Sequence, residues 1–308
     1  RSNQVIIATH AVDIIEEVAP EDIISIDKNS NRSSRLSNID EVQMCITQLG
    51  SVQNLKLVHF TRGKTCLFVE GKDFRYLKIL ARTLNFESFA NEDGFSVIPL
   101  DGFSNWNRLL DVGWIFKNAF GEPVNCYVIL DRDYYTSEEI DNIIAQLEHK
   151  GVRIHIWSKK EIENYLINFE TLYRLFSFKI SKRFKGAELT LSKSEFIDEL
   201  LSIIEGFKVE VQAKIIPRRI ECRPDRKIDP TAITADVLEE FQNKWADIEY
   251  RKNVIPGKDF FAKLNAWLND KYHITIPVDY AFRYLRQDEI DTEIRDVLEE
   301  FTQLISSK

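Results

Sequence analysis

No stretch of this chain approaches the roughly 18 uninterrupted apolar residues that a membrane helix needs. Nor does it open on the basic-then-apolar pattern of a secretory signal. A soluble, cytoplasmic protein with no membrane partner is therefore expected. Cysteine is scarce: Cys45, Cys66, Cys126 and Cys222 stand far apart, and two of them fall inside apolar runs. That spacing argues for buried thiols and against a disulfide framework or a zinc cluster. The Gly-rich loop ending in Lys-Ser/Thr that cradles the phosphates of ATP is missing, so this chain alone is not expected to hydrolyse ATP. A net charge of −8 argues against binding a polyanion by bulk attraction, although local basic patches can still act. What is present, 308 residues with 44% apolar and 11% aromatic content, is enough for a substantial core in about two domains.

Three short apolar runs end in acid. Residues 65–70 close on Glu70 before Gly71, residues 126–130 lead into Asp131-Arg132-Asp133, and residues 154–157 are followed by Glu161 and Glu163. An apolar run of about five residues suits a buried strand, and parallel strands deliver the residues that follow them to the same carboxyl edge. Carboxylates gathered on one edge repel unless cations lie between them. Magnesium or manganese, bound through oxygen, meets that need, and two such ions can hold both the attacking and the leaving oxygen of a phosphoryl displacement. Each motif also has a local explanation: Glu-Gly is common in turns, and Asp-Arg-Asp can cap a helix. Their order, spacing and shared position at strand ends favour the joint explanation.

The pattern between these motifs alternates. Strands are predicted at 65–70, 95–100, 125–130 and 152–157, with helices at about 73–84, 105–119 and 137–150, as in a right-handed parallel βαβ sheet. Beyond Glu161 the apolar period becomes helical, interrupted near Gly186 and at Pro217, Pro224, Pro230, Pro256 and Pro277. The segment from about Lys28 to Asn54 is polar and Ser/Asn-rich, with a short amphipathic helix expected at 41–49, and it suits a linker.

The sheet with Glu70-Gly71, Asp131-Arg132-Asp133 and Glu161-Ile162-Glu163 resembles the Toprim domain of topoisomerases, primases and several nucleases. Residues 4–10, a strand ending Thr9-His10, resemble the last part of an ABC-type ATPase lobe, in which such a histidine contacts the γ-phosphate. A satisfied histidine after a buried strand is the local alternative. Together the two resemblances point to the OLD (overcoming lysogenization defect) family of ATPase-nucleases, many of which act against phage. They cover about residues 3–27 and 63–168.

The resemblance implies an α/β, Rossmann-like Toprim sheet followed by a mainly α-helical domain. It divides the chain into an ATPase remnant at 1–28, a linker at 29–62, the Toprim domain at 63–168 and the helical domain at 169–308. It makes Glu70, Asp131 and Asp133 metal ligands, with Glu163, and less favourably Glu161, completing the cluster. The family's second acid, four residues after the first glutamate, falls here on Phe74; Asp73 is the acid next to it. His10 would be the nucleotide contact, with ATP bound only through an ATPase region outside this chain. The chain is then expected to be the C-terminal part of a longer protein that assembles as a homodimer or higher oligomer through that region, with a second defence-system subunit as a further partner. Two Mg²⁺ or Mn²⁺ ions and a DNA substrate, or RNA, complete the expectation.

Several other residues stand out. Asp101-Gly102 also follows a predicted strand and would support the same edge, Gly102 allowing close backbone approach. Residues 208–227 hold seven cations against three acids. Among these cations Arg218, Arg219, Arg223 and Lys227 are candidate phosphate contacts, although no aromatic residue interleaves them as a base-stacking surface would. Lys258, in Pro256-Gly257-Lys258-Asp259, resembles a Gly-Lys that family nucleases return to the metal centre, where it would neutralise charge on the cleaved phosphate. Three function classes compete: a metal-dependent nuclease cutting or nicking DNA, a Toprim primase or topoisomerase, and a non-catalytic regulatory module that binds nucleic acid. A topoisomerase would need a tyrosine nucleophile and a primase commonly a zinc module, for which the cysteines offer no cluster.

Overall fold

The computed structural model describes residues 5–9, 14–15, 18–27, 32–37, 41, 65–71, 73–100, 106, 109–111, 118, 124–184, 191–222 and 229–306. His10, Asp101, Gly102, Arg223 and Lys227 lie outside them, as does most of the helices expected at 41–49 and 105–119. The chain divides into two compact units, Arg1–Gly63 and Lys64–Lys308.

In the first unit, β1 (Ile24–Asp27) pairs antiparallel with β2 (Arg32–Arg35), Ile24 opposite Arg35 and Asp27 opposite Arg32. The segment expected to be linker therefore contributes a strand. Its side chains are polar, but ladder pairing is made by backbone amides and carbonyls.

The second unit is built on four parallel strands, β3 (Thr65–Glu70), β4 (Ser96–Leu100), β5 (Asn125–Leu130) and β6 (Val152–Ile156), in the order β4-β3-β5-β6. The helices around and after them are α1 (Phe74–Thr83), α2 (Glu87–Ala90), α3 (Ser137–His149), α4 (Phe169–Arg183), α5 (Lys193–Glu205), α6 (Lys208–Glu221), α7 (Pro230–Trp245), α8 (Ile248–Val254), α9 (Gly257–Tyr272), α10 (Val278–Tyr284) and α11 (Thr292–Ser306). The architecture is α/β, a parallel sheet flanked by helices and followed by a mainly helical region. No helix among the described residues is long and apolar enough to cross a membrane.

β3 and β5 are buried along nearly their whole length, as continuous apolar strands covered on both faces should be. The helix after β5 starts cleanly, because Thr136 accepts from the Glu139 amide and Glu139 reaches back to the Thr136 amide. One face of the sheet is closed by the end of the chain. Phe301 of α11 is fully buried and packs edge-on against Phe95 at 4.8 Å and Tyr127 at 5.5 Å. Burial of such a ring stabilises by about 1.5–3 kcal/mol. The same helix holds β6: Glu293 accepts from the Ser158 amide at 2.8 Å, contacts His155 Nε2 at 3.0 Å, and receives the Ser158 and Tyr165 hydroxyls. This clamp fixes the segment that carries Glu161 and Glu163.

Candidate metal centre

Parallel pairing in register brings the strand ends together. Val69 lies opposite Ile129, so Asp131 follows one residue beyond the level of Glu70, and its amide donates to Glu70 Oε2 at 3.4 Å. After Glu70 the chain turns through Gly71, whose φ of +53° is a left-handed conformation that glycine adopts without a Cβ penalty. The turn closes with Asp73 N–H donating to Glu70 O at 3.2 Å. It places Asp73, only 6% exposed, in the acid cluster, while the Phe74 ring packs against Phe89 and Phe95 at 5.6 and 6.2 Å. At this edge the available acid is thus Asp73; position 74 points into the core.

The third side comes from the segment after β6. Glu161 and Glu163 are both buried, Glu163 within a 3-10 turn spanning Ile162–Leu166. Asn164 locks that turn to the helical region by donating to Lys252 O at 2.7 Å and Ile255 O at 2.9 Å. The start of α9 comes so close that a Cβ on Gly257 would stand 2.9 Å from Asn164 Oδ1 and 3.0 Å from Glu163 Cβ. That approach delivers Lys258. Its amide donates to Glu161 Oε1 at 2.8 Å, and its ammonium lies 3.5 Å from Glu161, 3.8 Å from Asp131 and 3.9 Å from Glu163.

The structure therefore gathers Asp73, Asp131, Glu161 and Glu163 around Lys258, with Glu70 beside Asp131. Asp133 is placed differently. It sits at a φ of +46°, donates its amide to Lys160 O, and ion-pairs with Lys160 at 3.2 Å. Lys160 in turn lies 3.5 Å from Glu161. Lys160 was not singled out from the sequence, although its position directly before Glu161 was the available signal.

Burial and crowding set the charge state. Burial first, and then repulsion from Glu70 and Glu161, raises the Asp73 carboxyl to about 6 against the pull of Lys258. Burial likewise raises Glu163 to about 7, with Asp73 and Glu161 adding repulsion and Lys258 opposing it. Asp131 is held well above the ordinary carboxylate range by burial, Asp73 and Glu70. The Lys258 ammonium is raised by its acidic neighbours despite burial that pushes it down.

Two buried carboxylate oxygens, Asp131 Oδ1 and Glu163 Oε2, have no hydrogen-bond partner. Carboxylate oxygens that are buried without a hydrogen bond fit a hard divalent cation. Among the described residues no three Asp, Glu, His or Cys side chains converge as they would around one ion. The Lys258 ammonium stands among the acids instead, so seating an ion requires carboxylates to rotate and Lys258 to draw back. Glu161 already accepts a backbone amide and faces two lysines, whereas Glu163 Oε2 accepts no hydrogen bond and has only the Lys258 ammonium at 3.9 Å; on this geometry Glu163 is the better ligand.

Both arginines of α6 named from the sequence are paired with acids. Arg218 stacks its guanidinium 3.8 Å from the centre of the Tyr135 ring and pairs with Glu139, its Nε donating at 3.1 Å, so much of its charge is engaged. Arg219 faces Glu240 at 3.7 Å.

An acid-lined carboxyl edge on a parallel α/β sheet is what fold and site define together. No family model matches the chain, and no curated protein matches it. In structure it is similar to two solved forms of the C-terminal region of the OLD protein of Xanthomonas campestris pv. campestris, one phased with mercury and one with iodine. They are 16% and 15% identical, the matches cover 79% of this chain and 97% and 96% of those chains, and the TM-score is 0.34 in both.

The raised carboxyls predict a pH signature of the metal-free protein. Asp73 and Glu163 titrate near 3.8 and 4.5 when unfolded and at about 6 and about 7 when folded. The folded state thus binds more protons, and their contribution to stability is full below the unfolded values and is lost as pH rises through the folded ones. Glu163→Gln removes the glutamate's share, at most about 3 kcal/mol from its displacement. In chelator, the melting temperature of Glu163→Gln minus that of wild type is expected to grow between pH 5 and pH 8. A difference that stays flat over this range would mean that burial and its acidic neighbours do not raise the Glu163 carboxyl.

Proposed function

We propose that this chain is a Toprim-type, divalent-metal-dependent nuclease that cuts or nicks DNA, the C-terminal part of an OLD-like ATP-dependent endonuclease acting against phage or mobile DNA. The observation that carries the reading is the buried carboxylate edge, with oxygens on Asp131 and Glu163 that accept no hydrogen bond and the Lys258 ammonium among the acids. Glu70, Asp73, Asp131 and Glu163 would hold Mg²⁺ or Mn²⁺, Glu161 would set the position of Lys258, and Asp133 would face the substrate side beside Lys160. Bound ions of this kind supply an activated water and neutralise charge on the phosphate oxygens. The chain's own cations act next to them. Lys258, anchored through its backbone on Glu161, can swing from the carboxylates to the phosphate as negative charge builds there. Lys160 keeps a second positive charge between the buried acids and Asp133.

The test is cleavage of supercoiled plasmid, linear DNA and RNA with Mg²⁺, Mn²⁺ or chelator. Cutting that requires metal and stops in chelator supports the proposal. No product with either metal, or equal product in chelator, overturns it.

A further inference from the structure

Two cavities lie against the Asp133–Lys160 pair, and their walls differ from those of the acidic centre. One, of about 280 Å³, lies between the turn after β5 and helices α6, α7 and α8; the other, of about 460 Å³, runs toward α6 and the start of α9. Asp133, Tyr134, Tyr135 and Lys160 line both, so the cavities adjoin on either side of these four residues. The first cavity combines cations and rings: Arg132, Lys160, Arg219 and Lys244 outnumber Asp133 and Glu240, Lys244 and Arg219 share Glu240 at 2.5 and 3.7 Å, so that two cations face one carboxylate there, and Tyr250 presents its ring near Lys244 at 5.9 Å. The aromatic residues missing from the basic stretch in sequence are thus supplied by other elements, Tyr134 and Tyr135 directly after Asp133 and Tyr250 from α8. The buried Tyr134 hydroxyl has no hydrogen-bond partner.

We propose that these adjoining cavities form a path for a single nucleic-acid strand, with the smaller one taking one unpaired nucleotide, its base on Tyr250 and its phosphate on Lys244 and Arg219. Cations that track a backbone beside aromatic faces that accept any base are the requirements of single-strand binding. A cavity at the lower edge of the roughly 300–1,000 Å³ range of small-molecule sites admits one nucleotide out of its stack and excludes a base-paired duplex. A strand, unlike a free nucleotide, occupies both cavities, and in doing so passes the Asp133–Lys160 pair, which stands next to Glu161 of the acidic centre. The inference rests on the nuclease proposal and names its substrate class: single-stranded or locally unpaired nucleic acid.

The experiment is binding by the full chain, in chelator so that nothing is cut, of single-stranded DNA and RNA oligonucleotides, the matching duplex and a mononucleotide. Single strands are expected to bind at least about tenfold tighter than duplex, and the mononucleotide should not displace them at equal concentration. Tyr250→Leu keeps apolar packing but loses the ring, and should weaken single-strand binding by about 10- to 100-fold, while Tyr250→Phe preserves it. Lys244→Gln, which does not disturb the core, should lower affinity and reduce the salt slope by about one. Equal affinity for duplex and single strand, or single-strand affinity unchanged in both Tyr250→Leu and Lys244→Gln, overturns the path. If Tyr250→Leu fails to fold, Lys244→Gln decides alone. The two proposals fail separately. Tyr250-dependent single-strand binding without cleavage in any metal keeps the path and overturns the nuclease. Cleavage lost in Glu70→Gln but with single-strand affinity untouched by Tyr250→Leu does the reverse.

Discussion

Glu70→Gln and Asp131→Asn are each expected to reduce metal-dependent cleavage by about 10³-fold or more while leaving the fold intact. Loss of a single transition-state donor already costs about 10²–10³ in rate, and removing a ligand charge weakens the metal ions themselves. The fold should survive because Gln at position 70 can still accept the Asp131 amide through its side-chain oxygen, and because Asp131 Oδ1 has no hydrogen bond to lose. Each change also removes one of several mutually repelling carboxylates, so the melting temperature in chelator should hold or rise. Single-turnover cleavage beside thermal melts checks both halves. A wild-type rate in either variant would remove that residue from the centre.

Lys258→Ala should also slow cleavage, by about 10²–10³-fold, but with the opposite effect on the metal-free protein. Its ammonium lies within 3.9 Å of Asp131, Glu161 and Glu163. Without it three buried carboxylates lose their common counter-charge, so the melting temperature in chelator should fall and recover when Mg²⁺ is added. Metal affinity should hold or increase, since the cation that stands among the ligands is gone, and nucleic-acid affinity should change little. The combination of tight metal binding, slow cutting and a metal-repairable loss of stability separates Lys258 from both a ligand and a surface cation. Equal loss of nucleic-acid binding and cleavage would make it a surface cation.

The edge of the sheet was legible in sequence because apolar runs bounded by acid define both strand and strand end. Topology then requires Glu70, Asp131 and Glu163 to share one side. The details decided by turns were not legible. Whether position 73 or 74 meets the cluster depends on the left-handed turn at Gly71, and the partner of Asp133 is set by its own left-handed backbone and its bond to Lys160 O. Contacts far apart in sequence were equally hidden. Arg218 reads as a free phosphate contact until α3 supplies Glu139 and the turn after β5 supplies Tyr135. Phe301 belongs by sequence to a helical tail, yet it closes the sheet against Tyr127. In the polar segment read as linker, Arg32–Arg35 became β2 because strand pairing needs backbone groups more than apolar side chains.

The central claim is that this carboxylate edge holds divalent metal, and calorimetric titration of Mn²⁺ into the metal-free chain measures that directly. Saturable binding is predicted for the wild type and for Lys258→Ala, with strong weakening in Asp131→Asn and Glu163→Gln. Undetectable binding by the wild type, or the same binding curve in Asp131→Asn and Glu163→Gln as in the wild type, would contradict it.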